Sequence, residues 1–530
     1  MVLPLVLLWS IATPLGAAPD EPEHVVTAAY LDRGHLLPPV QDTPAGRGAV
    51  VTVPGWLQDA TGLPSCYAFH PEQDASCSPH LTSETTPKLA LTQFSRYPQT
   101  YYAIVGLPTR ALTGPAAYWA VRILSALLCG ALLALGLELL VGWHPRRRAA
   151  IVGASVAVTP MALFLAGSVT TSGVEVAAAF ATTAGLVCLA DREGPPPRAV
   201  TARTTLAATV LVLSRPLSPV FLLVLLLATL ALCGRHRLAT TARAAPRSML
   251  ALPAAAIAIS GAWIAVAGLP AFLGSPSGHH TASGELGITL GRTGRMLAEQ
   301  VGRFGWVDTP APLLTIAAWT IGVVALLVVG IARRSSGREV VAWCLPAAAA
   351  LLQPVVLEAP RINTLGTFFQ GRYCLPMSAA AVVILATRPG VGAAIDRVAP
   401  MVLRTVAVLW FVGQTGAFLA AWHRYALGAG RRAFTLHPAW QPPGGFLTVI
   451  LFVVCTALVA AVIGRDRPGA ARRNLEVAMR GSPGARSVPR YARGPSGVPR
   501  PVRGVAAADD HVRRRVSGAL PPPPHAESDR

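Results

Sequence analysis

Ionisable side chains are concentrated in the stretch PDEPEH, where Asp20, Glu21, Glu23 and His24 lie within five consecutive positions. Carboxylates placed in this way can accept a proton from a hydroxyl group or hold a divalent cation. The neighbouring prolines fix the backbone and so give these side chains a defined direction. The residues alone leave one alternative open, because acidic residues also favour the start of a helix, here one over 23–33.

Further charged residues lie inside or beside apolar segments, where they are costly unless they face a cavity or a partner. They are Glu175 in VTTSGVEVAAAF, Arg215 in LSRPLSP, Asp308 in FGWVDTPAP and Arg372 in FFQGRYCLPM. A guanidinium binds phosphate in bidentate fashion, which makes Arg372 a candidate phosphate ligand. The alternatives are polar contacts between helices for the first two, a helix cap for Asp308, and snorkelling for Arg372.

Three tyrosines, Tyr97, Tyr101 and Tyr102, occur in the stretch SRYPQTYYAIVGLPTRAL, which leads into an apolar segment. Tyrosines in that place are typical of an aromatic belt at the membrane surface. They could equally line a pocket for a sugar or a lipid. The spacing does not decide between the two.

The chain that carries these residues has the composition of a multi-pass membrane protein. It has 530 residues, of which 52% are hydrophobic and 13% charged. Several apolar runs approach the roughly twenty residues that cross a bilayer. The net charge of +20 comes almost entirely from arginine, since Lys88 is the only lysine. Arginine in short loops between apolar runs sets membrane topology, so we predict no nucleic-acid partner.

The apolar segments predict an all-α polytopic membrane protein with about 12 transmembrane helices. The segments are 2–18, 117–142, 149–167, 173–190, 203–214, 217–233, 249–269, 311–332, 340–357, 374–387, 400–421 and 444–463. Segment 203–214 is short and precedes Arg215 and a proline, which is typical of half of a broken or re-entrant hairpin. The first segment is also short and is predicted to be a transmembrane helix or an uncleaved signal anchor.

The alternation of basic and non-basic loops predicts the topology. Short arginine-rich loops, such as 143–148, are expected on the cytoplasmic side with both termini, in a multi-pass protein of the cell membrane. The predicted parts are the first helix at 1–18, the extracytoplasmic loop 19–116, a bundle at 117–269, the extracytoplasmic loop 270–310, a bundle at 311–464 and a disordered basic cytoplasmic tail at 465–530.

The two long outer loops each contain a recognisable feature. Cys66 and Cys77 lie in PSCYAFHPEQDASC, without an accompanying CxxC or HxH spacing. We therefore predict a disulfide and not a metal site, since disulfides persist outside the membrane.

The loop 270–310 contains ITLGRTGRMLAEQVGRFGW, whose apolar residues approximate one helix face. That helix is expected to lie on the outer membrane surface or to cover the outer loops.

No motif of a soluble enzyme occurs in the sequence. It has no P-loop, no GxGxxG with a nucleotide-binding pattern, no HExxH and no GxSxG in a triad context. This argues against an ATP-driven pump. The polar residues at the outer membrane face therefore remain the candidates for chemistry.

Together these stretches resemble the bacterial multi-pass proteins called domain of unknown function 2142, which are common in actinobacteria. The motifs that carry the resemblance are, in order, PDEPEHVVTAAYLDRGHLLPP, SCYAF with ASC, TPMALFLAGSVTTSGVEVAAA, SRPLSP, FGWVDTPAP and QGRYCLPM. The resemblance covers residues 15–465 and leaves out the tail. It implies little biochemistry, because the family is largely uncharacterised.

The layout is also similar to GT-C glycosyltransferases, membrane enzymes that take a sugar from a polyprenyl-phosphate donor at the outer face. Those enzymes have a long first outer loop with an acidic residue just after the first span, the place of Asp20 and Glu21 here. The implied fold is GT-C-like, with a long first extracytoplasmic loop. One departure is the C-terminus, which in GT-C enzymes is often a large soluble domain outside the membrane.

The similarity to GT-C enzymes implies roles for the candidate residues. Asp20 and Glu21 would be catalytic, with Asp20 the base toward an acceptor hydroxyl. Cation or acceptor contacts would come from Glu23, His24, Asp308 and Glu175, and donor-phosphate contacts from Arg372, Arg96 and Arg215. The implied partners are membrane lipid, a polyprenyl-phosphate sugar donor and an envelope glycan acceptor. A divalent cation is the one cofactor that this chemistry could add, and no metal ligands are assigned.

Two other functions stay open. A transporter or flippase of lipid-linked envelope precursors would need an internal repeat with broken helices, and only the hairpin at 203–233 resembles one. A non-catalytic envelope assembly protein would use the tail for docking.

Overall fold

The computed structural model describes residues 1–43, 46–191, 196–268, 281–333, 336–430 and 438–465. The predicted tail lies outside this part of the chain, apart from Arg465. The beginning of the second predicted outer loop, residues 270–280, lies outside it as well.

Helices dominate because an apolar chain in a bilayer must satisfy its backbone hydrogen bonds internally. They are α1 (Val2–Ala12), α2 (Glu21–Asp32), α3 (Gly55–Thr61), α4 (Thr100–Val105), α5 (Gly114–Glu138), α6 (Arg147–Ala157), α7 (Pro160–Ala166), α8 (Thr171–Asp191), α9 (Arg198–Val212), α10 (Ser218–Ala244), α11 (Arg247–Ala267), α12 (Ala282–Gly291), α13 (Thr293–Val301), α14 (Leu313–Ala332), α15 (Gly337–Leu357), α16 (Ile362–Leu365), α17 (Leu375–Thr387), α18 (Pro389–Arg397), α19 (Ala399–Leu427) and α20 (Phe446–Gly464). The strands are β1 (Val40–Thr43), β2 (Gly46–Pro54), β3 (Pro87–Thr92), β4 (Arg303–Phe304) and β5 (Thr309–Pro310).

The helical membrane architecture is confirmed, but the predicted count of about 12 spans is not. Among the described residues, 8 helices are long and apolar enough to cross a membrane. The number rises to 10 if the pairs α6–α7 and α17–α18, bent by 71° and 66°, each form one span. The remaining two predicted segments correspond to α1, with 11 residues, and α9, with 15. A helix of eleven residues rises only ~16 Å, about half of a bilayer core.

The first long loop contains a small antiparallel sheet in the order β1-β2-β3. Helix α2 packs against β3, α3 and α4. Further along this loop, Cys66 and Cys77 are joined in a disulfide. Arg424 of α19 donates hydrogen bonds to the carbonyls of Tyr67 and His70 at 2.7 and 3.0 Å, so a buried cation ties the disulfide loop to the bundle.

The predicted surface helix of the second long loop is broken into α12 and α13 at Arg292. Its apolar residues do not share one environment. Leu290 and Leu297 are exposed, whereas Met296 and Val301 are buried against the rest of the protein. This segment therefore covers the bundle with one face of α13 and also presents leucines outward.

One buried ion pair connects α5, the start of α2 and the end of α1. Arg122 of α5 forms this ion pair with Glu21, the first residue of α2, and neither side chain has exposed surface. The Arg122 guanidinium also donates to the carbonyls of Ser10, Thr13 and Pro14, at 3.2, 2.6 and 2.8 Å. These carbonyls belong to the end of α1, where a helix leaves acceptors without partners of its own.

The carboxylate of Glu21 is equally satisfied. It accepts from Arg122 Nε at 2.8 Å and from the backbone N–H of Val169 at 3.0 Å. A buried charge pair is tolerated only when its remaining hydrogen-bonding groups have partners. The pair therefore fixes the start of α2, and with it the residues on either side of Glu21, against α1 and α5.

We expect Arg122→Met to destabilise the folded protein by about 3–5 kcal/mol, because Glu21 would remain buried without its counter-charge. The double variant Glu21→Leu with Arg122→Met should recover much of that loss, since it removes both charges together. Thermal melting of detergent-extracted protein, followed by the fraction that stays monodisperse, measures both effects.

The matched control is Arg47→Met, which removes an exposed ion pair to Asp42 in the β1–β2 hairpin. An exposed pair contributes about 0–1 kcal/mol, so its melting curve should stay close to that of the wild type. A single Arg122→Met variant as stable as this control would show that the buried pair does not hold α2 in place.

Candidate active site

Asp20 is the residue from which the site is built. It immediately precedes α2 and has a left-handed backbone conformation (φ 64°), which aspartate tolerates better than most residues. Its carboxylate makes no capping hydrogen bond to α2. Instead, Oδ2 accepts from Nη2 of Arg372 at 2.8 Å, and the side chain is 31% exposed. Asp20 therefore occupies the N-cap position of α2 without capping the helix through its side chain.

Arg372 lies in the short segment before α17, and its side chain is only 3% exposed. Besides Asp20, it donates to the hydroxyl of Tyr373 at 3.2 Å. Its Nε and Nη1 are buried without a partner within the described part of the chain. Snorkelling is excluded by this burial. Unpartnered, buried guanidinium N–H groups are costly, so they mark a position that fits an anionic ligand.

A second arginine approaches the same aromatic ring. Arg215, in the turn between α9 and α10, places its guanidinium carbon 4.8 Å from the ring centre of Tyr373. The corresponding distance for Arg372 is 5.1 Å. Arg215 also lies 5.6 Å from the ring of Tyr97. The contacts of Arg215 and Arg372 with Tyr373 are both in the range of cation–π attraction. This attraction holds the two like charges close to the Tyr373 ring.

Glu175 completes the group from inside the bundle. This α8 residue is buried and accepts from Arg215 Nη1 at 3.1 Å and from the Ser218 hydroxyl at 2.6 Å. It therefore makes a polar contact between α8 and α10 and at the same time holds Arg215. Asp20, Arg372, Tyr373, Arg215 and Glu175 form one continuous chain of contacts, hereafter the acid–arginine cluster.

Glu23 and His24 lie on the first turn of α2, beside this cluster. Glu23 accepts from the backbone N–H of Gln93 at 2.8 Å. Burial raises the pKa of Glu23 to about 7, and the negative charge of Asp20 adds to the rise. Burial lowers the pKa of His24 well below its ordinary value, an effect that the two cluster arginines reinforce. His24 is thus neutral at pH 7.

Tyr97, Tyr101 and Tyr102 do not form an aromatic belt, which was one of the two alternatives that the sequence left open. Tyr101 and Tyr102 are buried, and their hydroxyls bond to Ser125 and to Nδ1 of His24, each at 2.8 Å. Tyr97 is half-buried and contacts Arg215. Tyr102 therefore supports the first turn of α2, Tyr101 is tied to α5, and Tyr97 lines the cluster.

Besides Glu23 and His24, three predicted site residues lie outside the acid–arginine cluster. Glu21 has no exposed surface and pairs with Arg122, which fits a positioning role. Asp308 pairs with Arg424 at 3.3 Å and accepts from the backbone N–H of Phe69, so it belongs to the anchor of the disulfide loop. Arg96 donates to the carbonyl of Pro38 at 3.1 Å, away from the cluster arginines.

Sequence reasoning did not find the two acidic residues that position Arg372. Glu358 accepts from the backbone N–H of Phe369 at 2.7 Å, and Glu299 from that of Gly371 at 2.8 Å. A side chain at Gly371 would collide with the carbonyl of Met296. The segment is therefore clamped from both sides, and no motif in the sequence marks these contacts.

Among the residues with described positions, no three His, Cys, Asp or Glu side chains gather in a way that could hold a metal ion. The chemistry that the cluster can do rests on carboxylates, guanidiniums and tyrosine hydroxyls.

Comparison with solved structures finds a loose similarity to ArnT from Cupriavidus metallidurans, whose crystal structure contains bound undecaprenyl phosphate. The sequences are 13% identical, the alignment covers 90% of this chain and 78% of that one, and the TM-score is 0.40. A likeness of this extent carries no argument about chemistry. Among curated proteins, the comparison finds no match.

The family comparison is decisive where the structural one is not. The sequence pattern described as "Predicted membrane protein (DUF2142)" matches residues 3–381, a stretch that contains Asp20, Glu175, Arg215 and Arg372. The resemblance inferred from the motifs is confirmed, although the match ends before α19 and α20. The chain therefore belongs to the DUF2142 family of membrane proteins.

Proposed function

We propose that this protein is a glycosyltransferase that moves a sugar from a polyprenyl-phosphate donor to a cell-envelope acceptor at the outer face of the membrane. The observation that carries the proposal is Arg372, which is buried, contacts Asp20, and keeps two nitrogens without a partner among the described residues. That arrangement fits a phosphate bound directly beside a base. The proposal keeps the predicted topology, with both termini cytoplasmic.

The two arginines supply what a leaving phosphate needs. Negative charge grows on the phosphate as its bond to the sugar breaks, and preorganised cations aimed at that charge lower the barrier. Arg372 and Arg215 are held on one tyrosine ring and by Asp20 and Glu175, so neither has to reorganise during the reaction. The free N–H groups of Arg372 provide the direct contacts to the phosphate oxygens.

Asp20 is the proposed base. Its Oδ1 has no hydrogen-bond partner in the described part of the protein, and its side chain is partly exposed. Asp20 would accept the proton of the acceptor hydroxyl as that oxygen bonds to the anomeric carbon. The bond from this carbon to the phosphate oxygen breaks, and polyprenyl phosphate leaves with the electron pair. The 2.8 Å contact to Arg372 places both events next to each other.

Glu23 offers a second proton-accepting group. Its pKa of about 7 means that it is partly protonated near neutral pH, so it can store or release a proton there. Carboxyl groups in different environments, one ion-paired and one desolvated, are a common basis for dividing acid and base roles. Glu21 then acts only by fixing the backbone between Asp20 and Glu23.

The sharply bent helices favour one other candidate, a transporter or flippase of lipid-linked precursors. The pairs α6–α7 and α17–α18 bend by 71° and 66°. Broken helices in transporters commonly meet at a substrate site near the middle of the membrane. The acid–arginine cluster lies at helix starts and in connecting segments, which suits a reaction at the membrane surface better.

We expect Asp20→Asn to reduce sugar transfer by about 10²–10⁴-fold, the usual contribution of a general base. Arg372→Gln should reduce it by about 10²–10³-fold, because the leaving phosphate loses its charge stabilisation. Both variants should accumulate a polyprenyl-phosphate sugar in cells and lack one sugar in an envelope glycan. Mass spectrometry of lipid-linked sugars and of released glycans measures this.

Asp42→Asn and Arg47→Gln are the matched controls, since both residues are exposed and pair only in the β1–β2 hairpin. These variants should behave as the wild type does. If the protein were a flippase, the same variants would instead trap the lipid-linked sugar on the cytoplasmic face, where a membrane-impermeant lectin would not label it. Unchanged lipids and glycans in Asp20→Asn cells, at wild-type protein levels, would contradict the proposed transferase.

The raised pKa of Glu23 predicts a pH-dependent stability. Between the ordinary value of 4.5 and about 7, the folded state binds the proton that the unfolded state has lost, so stability falls as the pH rises through this window. The ionised carboxylate then costs the folded state about 3 kcal/mol above pH 7. Glu23→Gln should therefore melt at a higher temperature than the wild type at pH 8, and the gap should close toward pH 4.5.

His24 works in the opposite direction, because its lowered pKa makes stability fall as the pH drops through 6.5. That contribution is common to both proteins, so the difference between their melting temperatures isolates Glu23. Glu72→Gln, at an exposed glutamate, is the matched control for replacing a carboxylate by an amide. A gap between Glu23→Gln and wild type that does not change with pH would contradict the assignment.

A further inference from the structure

A cavity in the bundle lies far from the acid–arginine cluster. Its volume is about 300 Å³, at the lower end of the ~300–1,000 Å³ typical of ligand pockets. Its walls come from the start of α1, the last turns of α5 and α20, the length of α6 and one residue of α19, and they are mostly aliphatic. The lining includes Leu5, Glu138, Arg147, Ala154, Trp410 and Ile463.

The cavity and the acid–arginine cluster lie at opposite ends of the bundle. Arg122 marks the cluster end of α5, through its contact with Glu21. Glu138 lies sixteen positions further along the same helix, which corresponds to ~24 Å. The ligand of the cavity is therefore not the substrate of the proposed reaction.

The mouth of the cavity has a net positive charge. Glu138 is neutralised by Arg203 at 3.4 Å. Of three consecutive arginines at the start of α6, Arg146 pairs with Asp191 and Arg148 with Asp396. Arg147 lines the cavity, has no ion pair among the described residues, and has a buried Nε without a partner.

We propose that this cavity binds one acyl chain of an anionic glycerophospholipid from the surrounding leaflet, with the phosphate of the headgroup at Arg147. An apolar cavity walled by candidate membrane-spanning helices suits an acyl chain, and an unpaired guanidinium at its mouth suits a lipid phosphate. The bound chain would pack against α5, α6 and α20. With the predicted topology, this lipid belongs to the cytoplasmic leaflet.

The full-length protein in nanodiscs of equal amounts of dioleoyl phosphatidylglycerol and dioleoyl phosphatidylcholine tests this. Native mass spectrometry after release into detergent should show one retained phosphatidylglycerol on the wild type. Ala154→Trp fills the cavity and should lose the retained lipid. Arg147→Gln should keep a lipid but lose the preference for phosphatidylglycerol by about tenfold, the effect of one charged hydrogen bond.

The matched controls are Ala258→Trp on the exposed face of α11 and Arg198→Gln at the exposed start of α9, and both should retain the lipid as the wild type does. Equal retention by Ala154→Trp and wild type, or no preference for the anionic lipid in the wild type, would overturn the proposal.

A second measurement does not depend on the folding of Ala154→Trp. Trp410 lines the cavity, so phosphatidylglycerol with brominated acyl chains should quench its fluorescence, seen as the difference between wild type and Trp410→Phe. Brominated phosphatidylcholine should quench it less. Equal quenching by the two lipids, or none by either, would refute an anionic lipid in the cavity.

Discussion

The buried ion pair between Glu21 and Arg122 is the interaction on which the arrangement of the site depends. Two charges inside an apolar bundle are tolerable because the guanidinium and the carboxylate both have their remaining hydrogen-bonding groups satisfied. Arg122 satisfies the carbonyls at the end of α1, and Glu21 binds a backbone N–H before α8. The pair thus fixes where α1 ends and α2 begins, which is the point from which Asp20 projects.

This anchor explains why four ionisable residues can stand together in PDEPEH and still differ in character. Glu21 points inward and is fully paired, while Asp20, in a left-handed conformation, faces Arg372. Glu23 and His24 lie one turn on, where burial favours the neutral form of each. Rotating side chains around a helix start exposes neighbours in sequence to separate surroundings, and the charge state of each follows from those surroundings.

The partner of Asp20 is held just as firmly from the other side of the molecule. Glu358 and Glu299 bind the backbone of the segment that carries Arg372. Arg292 in turn binds Glu358 at 2.6 Å, and Arg295 binds Glu299 at 2.8 Å. The segment α12–α13 therefore holds the backbone around Arg372 in place. A site built in this way is preorganised, since the chain that presents each charge is fixed before a ligand arrives.

The sequence by itself determined the membrane class, the family and most of the helices, because apolar length and arginine in loops are local properties. It also singled out Asp20, Glu175, Arg215 and Arg372, since each is a polar residue in an apolar setting. It could not determine that Asp20 touches Arg372, 352 positions away, or that Glu21 turns inward to Arg122. Those contacts depend on how helices cross and on which of several nearby carboxylates each arginine reaches, which only tertiary packing decides.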